Sequence, residues 1–280
     1  MYPLLGISPF RIRIMKELIC PLCSLQLQPN VQGVACANRH QFDRAKEGYF
    51  NLLPVHYKNS REPGDAKEQL TARRAFLSAG YFIPLLNELT TLIDPDIRTL
   101  LDIGCGEGYF TRGLEAHCKQ SDIYGIDISK AGIRLAARNA NKRITYAVAS
   151  SHLLPLADSS MDIILRIYAP SKDQELSRVI ARTGKLVIVT PGEQHLIGLR
   201  KKIYKEIRPH PEPETPQGFS LLTHIRRSFP LVVPAGEHAD SLLGMTPFTW
   251  KLLPALRAVL LDKGLDDIAD FQISVYEPLK

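Results

Sequence analysis

The sequence predicts a doubly wound, mostly parallel α/β sheet preceded by a small metal-clamped unit. Three observations predict it. From Thr99 onward, apolar runs of strand length alternate with helical patterns, as in a parallel sheet wound by helices. The first of these strands runs straight into a glycine-rich turn, "LDIGCGEGYF". Upstream, Cys20 and Cys23 are spaced C-x2-C, and Cys36 and His40 are spaced C-x3-H, which is metal-ligand spacing.

Residues 1–15, "MYPLLGISPFRIRIM", place Arg11 and Arg13 after the apolar part. A secretory leader has the opposite order. They are expected to be an N-terminal extension, with Met15 as the usual first residue. Residues 16–50 are expected to form a unit of short strands and turns around Cys20, Cys23, Cys36 and His40. Three thiolates and one imidazole fill a tetrahedral zinc shell with no open position, so the site is structural. So short a unit has too small a core to fold unaided, and zinc supplies the missing free energy.

Residues 51–98 read as a helical linker. Leu70, Arg73, Arg74 and Leu77 recur at helical spacing, and Pro84 starts a second helix or kinks the first. From residue 99 to 280 the strands are "TLLDIG", "DIYGID", "RITYAVA", "MDIILRI" and "GKLVIVT". Their apolar continuity suits burial on both faces. The helices between them lie at about 108–118, in "SKAGIRLAARNA" with Ser129 as N-cap, and in "DQELSRVI". After His195 come a basic helix "HLIGLRKKIYKEI", a proline-rich loop "RPHPEPETPQGF", then strand, helix and strand in "FPLVVPAG", "TPFTWKLLPALRAVLL" and "DFQISVYEP".

Gly104, Gly106 and Gly108 are spaced G-x-G-x-G, and Asp127 ends the second strand 19 residues later. Glycines let the turn close and let a ligand approach the peptide groups, while the distant acid suits the ribose hydroxyls of an adenosine. Asp102 and Glu107 flank the turn. Two carboxylates repel a pyrophosphate and suit a ligand with a cationic end, such as the ammonium and sulfonium of S-adenosylmethionine.

Composition narrows the classes. The chain is 45% hydrophobic and 23% charged, ordinary for a globular protein, and no apolar run reaches the roughly 18 residues that span a bilayer. Five cysteines without a paired framework fit a reducing cytoplasm. The net charge is +6, and residues 1–80 hold eleven Lys and Arg against six Asp and Glu. That asymmetry suggests a polyanionic partner.

The strings "CPLC", "CANRHQFDRAKEGYFNLLP", "PGD", "ARRAFLSAGYFIPL", "LDIGCGEGYF", "ASSHLLPLAD", "RIYAP" and "TPGEQHL" occur in this order. With them the chain resembles the RlmA (RrmA) type of 23S ribosomal RNA (guanine-N1)-methyltransferase, within the class I S-adenosylmethionine-dependent superfamily. The resemblance runs from about Glu17 to near the C-terminus. It implies a seven-stranded methyltransferase sheet, a zinc-binding RNA-recognition domain, a 23S rRNA hairpin as substrate and a homodimer. It also implies zinc ligation by Cys20, Cys23, Cys36 and His40, and cofactor contacts from Gly106, Glu107 and His195. Phe82 stands where the family uses an aromatic residue, often tyrosine, against the cofactor, so stacking is kept and a phenol contact is not.

Base-nitrogen methyltransferases often carry a polar-Pro-Pro-aromatic motif after the fourth strand, and "YAP" departs from it. Tyr168 is expected to stack on or border the guanine. Backbone carbonyls of Tyr168 or Ala169 are expected to orient N1, and Arg166 is a candidate partner for charge on O6. Asp158 is a candidate general base. Arg39, Arg44, Lys46, Lys58, Arg61, Lys67, Arg73 and Arg74 are candidate RNA contacts. Two other readings share these residues: a small-molecule methyltransferase with a structural zinc module, and a non-enzymatic RNA-binding protein retaining a cofactor fold. The intact set of Asp102, Gly104, Gly106, Gly108 and Asp127 argues against the second. The sheet domain is expected to have its own core and to be indifferent to damage in the clamp.

Overall fold

The computed structural model describes residues 15–54, 64–138, 140–207, 214–247 and 249–279. Lys58, Arg61 and the N-terminal extension before Met15 lie outside them.

The clamp unit contains β1 (Gln28–Pro29), β2 (Gly33–Ala35) and β3 (Gln41–Asp43), a three-stranded antiparallel sheet in that order. The chain then adds β4 (Phe50–Asn51) and two helices, α1 (Lys67–Ser78) and α2 (Ile83–Leu92). Pro84 sits in the first turn of α2, where its missing N–H costs nothing, so it starts a helix rather than kinking one.

The winding follows: β5 (Thr99–Ile103), α3 (Tyr109–His117), β6 (Asp122–Asp127), α4 (Lys130–Ala137), β7 (Ile144–Val148), β8 (Met161–Ile167), α5 (Asp173–Val179) and β9 (Ile180–Pro191). Every residue of β5 is buried, as a central strand requires. Ser129 caps α4 by accepting from the Gly132 amide at 3.2 Å. After β9 come α6 (Ile197–Ile203), β10 (Phe219–Val233), α7 (Glu237–Met245), a short 3₁₀ turn at Thr249–Lys251, α8 (Pro254–Lys263) and β11 (Leu265–Pro278).

The main sheet has the order β10-β11-β9-β8-β5-β6-β7-β4. The pairs from β9 to β4 are parallel, and β11 runs antiparallel to both its neighbours. The seven expected strands are present, and β4 adds a short eighth at the edge. Strand order reverses between β5 and β8, and ligands of open α/β sheets bind beyond the carboxyl ends of strands at such a point.

Three features differ from the sequence reading. The strand expected from Phe229 begins ten residues earlier, because β10 pairs with β11 along its whole length, from Phe219 opposite Pro278 to Val233 opposite Leu265. As an edge strand, β10 exposes most of its residues and tolerates Pro230, so its apolar signal is diluted. Helix α7 was not expected at all. It packs on α1 so closely that a Cβ on Gly244 would lie 2.8 Å from that of Ala72. The basic helix after His195 shortens to α6.

The clamp unit is not a separate lobe. Alternate residues of the sheet feed two apolar clusters. Leu100, Ile123, Ile163 and Val187 pack with α1–α4, α7 and α8 on one face. Leu101, Ile103, Tyr124 and Ile164 pack on the other face with α5 and with Leu18, Leu27, Val34, Phe50 and Leu52. The Ile19 amide donates to the Pro155 carbonyl at 3.0 Å and the Ala157 amide to the Glu17 carbonyl at 2.8 Å, while Leu52 donates to Val148 at 2.8 Å. Each such buried aliphatic side chain contributes about 1.5–3 kcal/mol, so the unit and the sheet share one stability.

Candidate functional site

Four ligand atoms converge in the clamp. The Cys20, Cys23 and Cys36 sulfurs and a His40 ring nitrogen all lie within 4.8 Å of one another. Cys20 and Cys36 approach His40 Nδ1 at 3.4 and 3.5 Å, and the Cys23 and Cys36 sulfurs are 3.6 Å apart. Zinc bonds of about 2.3 Å to sulfur and 2.0 Å to nitrogen put tetrahedral edges at about 3.5–3.8 Å, so the donor set fits the ion. The turns that present these ligands place Ser24 and Arg39 at positive φ, 57° and 63°. The Leu22 amide donates to the Cys20 sulfur at 3.4 Å, a contact that favours thiolate character.

A second site lies at the carboxyl ends of β5 and β8. It is a cavity of about 710 Å³, of the size that holds a small molecule. Phe82, Asp102, Gly104, Gly106, Glu107, Asp127, Tyr168 and His195 all line it. Gly104 and Gly106 have positive φ, and a Cβ at Gly104 would fall 2.3 Å from that of Ala169. Gly108 is not a lining residue. It starts α3 at φ 82°, and a side chain there would strike the Tyr146 hydroxyl at 2.4 Å, so its place is in the packing behind the wall.

The carboxylates differ in role. Asp127 accepts from the Gly106 amide at 2.8 Å and the Ser129 amide at 2.7 Å, tying the glycine turn to β6. Burial raises its pKa, against those two amides. Asp102 accepts from the Thr111 hydroxyl at 2.5 Å. Burial pushes its carboxyl up to about 7, against that bond, and the Asp127 charge adds to the rise. One oxygen of Glu107 takes Arg112 at 2.9 Å, and the other, Oε1, is buried without a partner. An orphaned buried acceptor beside a cavity marks the place of an unfilled donor.

Further lining residues come from outside the motif. Helix α1 brings Arg73 over the turn, paired with Asp65 at 2.5 Å. Arg73 is the one Arg or Lys among the described lining residues. Sequence reasoning placed it among RNA contacts, because nothing local shows that α1 folds over the turn. Ser150, Ser151 and His152 line the wall after β7, and only the string "ASSHLLPLAD" hinted at them. A cavity with four carboxylates, one guanidinium and an orphaned acceptor fits a zwitterionic amino-acid end carrying an extra positive charge, which is the donor pattern of S-adenosylmethionine.

The surroundings of Tyr168 and His195 are aromatic. Phe82, His195 and Phe271 pack with centroids 5.0–6.4 Å apart, and Tyr168 lies 6.2 Å from His195 and 6.3 Å from Phe271. Tyr168 has φ 53° and keeps 48% of its surface exposed, while burial of its phenol end and the Asp270 charge hold its pKa well above normal. His195 Nδ1 accepts from the Asp270 amide at 3.2 Å, so in the neutral ring Nε2 carries the proton. Arg166 is not a lining residue. Its guanidinium donates to the Ser171 hydroxyl at 2.7 Å. Asp158 is paired with Arg178 at 2.8 Å and is likewise not a lining residue.

The chain is similar to known proteins in both of its parts. Residues 18–61 match the family model described as "RlmA, N-terminal", and residues 100–187 match "Methyltransferase domain". A "23S rRNA (guanine(748)-N(1))-methyltransferase" of Streptomyces fradiae is 32% identical over 68% of this chain and 68% of its own. The "Putative 23S rRNA (guanine-N(1)-)-methyltransferase YxjB" of Bacillus subtilis (strain 168) is 30% identical over 91% of this chain and 95% of its own. Among solved structures, a SAM dependent methyltransferase from Aquifex aeolicus covers 76% of this chain and 100% of its own at 14% identity, with a TM-score of 0.46. Among the described residues no helix is long and apolar enough to cross a membrane. By its zinc ribbon, its methyltransferase domain and the reach of these alignments, the chain belongs to the 23S rRNA (guanine-N1)-methyltransferase family.

Proposed function

We propose that the protein transfers a methyl group from S-adenosylmethionine to N1 of a guanine in a hairpin loop of 23S rRNA, in the cytoplasm and as a homodimer. The observation that carries this reading is the alignment with YxjB across nearly the whole of both chains. In this reading residues 16–50 are the zinc-binding RNA-recognition unit, 51–98 contribute to the cofactor site, and 99–280 carry the transfer chemistry.

S-adenosylmethionine supplies an electrophilic methyl on a cationic sulfur. Asp127, already fixed by two amides, holds the ribose edge. Arg73 holds the amino-acid carboxylate, while Asp65 and the orphaned oxygen of Glu107 face its ammonium. Phe82 gives the aromatic wall. Tyr168 borders the guanine, and the carbonyls of Tyr168 and Ala169 orient N1. As the bond from N1 to the methyl carbon forms, the bond from sulfur breaks and sulfur keeps the electron pair. The N1 proton leaves to water at the mouth as that bond forms. Positioning along one axis therefore provides most of the rate. Arg39, Arg44 and Lys46, exposed on the clamp unit, contact RNA phosphates.

The test offers the protein methyl-labelled S-adenosylmethionine with 23S rRNA or with free guanine nucleotides. Label is expected in the RNA alone. Label in the nucleotides would favour the small-molecule reading, and label in neither would favour the non-enzymatic one.

A further inference from the structure

The rim of the cofactor cavity carries a surface that the chemistry above does not use. His195 and Leu196 on one wall lead directly into α6, whose exposed face and following residues bear Lys201, Lys202 and Lys205. Met245, Thr246 and Pro247 lead into the 3₁₀ turn that presents Trp250 and Lys251. The two segments meet where the Lys251 ammonium sits 4.8 Å from the centre of the Tyr204 ring. They form one continuous rim rather than two unrelated loops.

Trp250 is the only tryptophan of the chain and is 81% exposed, and Leu253 is 70% exposed. Trp250 follows the cavity-wall residue Pro247 by three positions, and a large apolar side chain left this exposed is a candidate interaction surface. Among the described residues of these two segments the exposed charges are mainly positive, Lys201, Lys202, Lys205 and Lys251 against Glu206. A flat aromatic face bordered by ammonium groups is the chemistry that holds single-stranded nucleic acid, where bases stack on the ring and cations follow the phosphates. A protein partner would favour the ring without needing the lysines.

We infer that Trp250 is a stacking platform for an unpaired base beside the target guanine, with Lys201, Lys202, Lys205 and Lys251 holding the adjoining phosphates. This rests on the ribosomal RNA reading above. It places part of the RNA grip on the C-terminal rim, where the sequence pointed to the clamp unit. A base stacked there keeps the strand open at the cavity mouth, so the neighbouring guanine enters unpaired.

The single tryptophan makes the test direct. The intact protein is titrated with a labelled single-stranded RNA oligonucleotide, reading label anisotropy for binding and tryptophan emission for stacking. Emission should be quenched in step with binding, and heparin, a polyanion without bases, should not quench it. Trp250→Ala should weaken RNA binding about 5- to 150-fold, the effect of losing one stacked base. Trp250→Phe should keep most of the affinity, and both variants should bind S-adenosylhomocysteine as the wild type does. RNA that binds by anisotropy with unchanged emission, and equally well to Trp250→Ala, would overturn the platform and leave the substrate reading intact. Wild-type protein that binds no RNA would overturn both. A blue shift of emission that grows with protein concentration in the absence of RNA would assign the surface to a second copy of the chain and overturn the proposal.

Discussion

At the scale of single residues, the cavity divides its charges by task. Arg73 is the guanidinium of the site and has an acidic partner to exchange. Arg73→Gln should weaken S-adenosylhomocysteine binding about 10- to 100-fold, the range of a lost charge-assisted hydrogen bond. It should leave 5′-methylthioadenosine, which has no amino-acid end, unaffected. Calorimetry showing equal losses for both ligands would remove Arg73 from the carboxylate. Asp102 gives the site a pH dependence. A carboxyl titrates near about 3.9 in an unfolded chain, whereas burial holds this one at about 7. The native state then keeps a proton that the unfolded chain has lost. Its contribution to stability is fully present below the unfolded value and is lost as pH rises through about 7. Ligand binding runs the other way, since a cation prefers the ionised acid. Affinity for S-adenosylmethionine should therefore rise between pH 6 and 8, and Asp102→Asn should flatten the profile.

At the scale of elements, helices α1 and α7 set the width of the cavity. Helix α1 carries Arg73, and α7 ends at Met245 on the cavity wall. Their contact depends on Gly244, whose missing side chain lets Ala72 approach. Gly244→Val should cost about 1–3 kcal/mol by overpacking, and thermal unfolding would read it. It should also lower cofactor affinity although residue 244 is not a lining residue. Unchanged affinity would mean that the helices do not hold the wall. The same pair shows what a sequence can disclose. The turn from Asp102 to Gly108 and the acid at Asp127 are legible because their spacing is local and imposed by one strand-turn-helix unit. Arg73 and Asp65 are not, because only tertiary packing lays α1 over that turn. Helix α7 lies hidden between Pro234 and Pro247, and the outer half of β10 is an exposed edge without an apolar alternation to announce it.

At the scale of the whole molecule, the zinc unit covers one face of the sheet. The sequence suggested a clamp whose loss the sheet domain would survive. Instead Leu18, Leu27 and Val34 share a cluster with Leu101, Ile103 and Ile164, and the segment that pairs with the clamp at 155–157 continues from the cavity wall at 150–152. Zinc is a ligand of the native state alone, so its removal lowers the stability of everything folded with it. Calorimetry should show one unfolding transition that a chelator moves down as a whole. Two transitions, with the upper one indifferent to chelator, would restore the picture of separable domains.

The central claim is methyl transfer to guanine N1, and reverse transcription of the treated RNA tests it most directly. A methyl on N1 blocks Watson–Crick pairing and halts the transcriptase, whereas methyl groups on N7 or the ribose leave the pairing edge intact. Unmodified 23S rRNA incubated with the protein and S-adenosylmethionine should gain one strong stop, immediately before a guanine in a hairpin loop. The stop should be absent when S-adenosylmethionine is omitted. Label incorporated into the RNA without any new stop would contradict N1 as the methylated atom, and with it the proposed reaction.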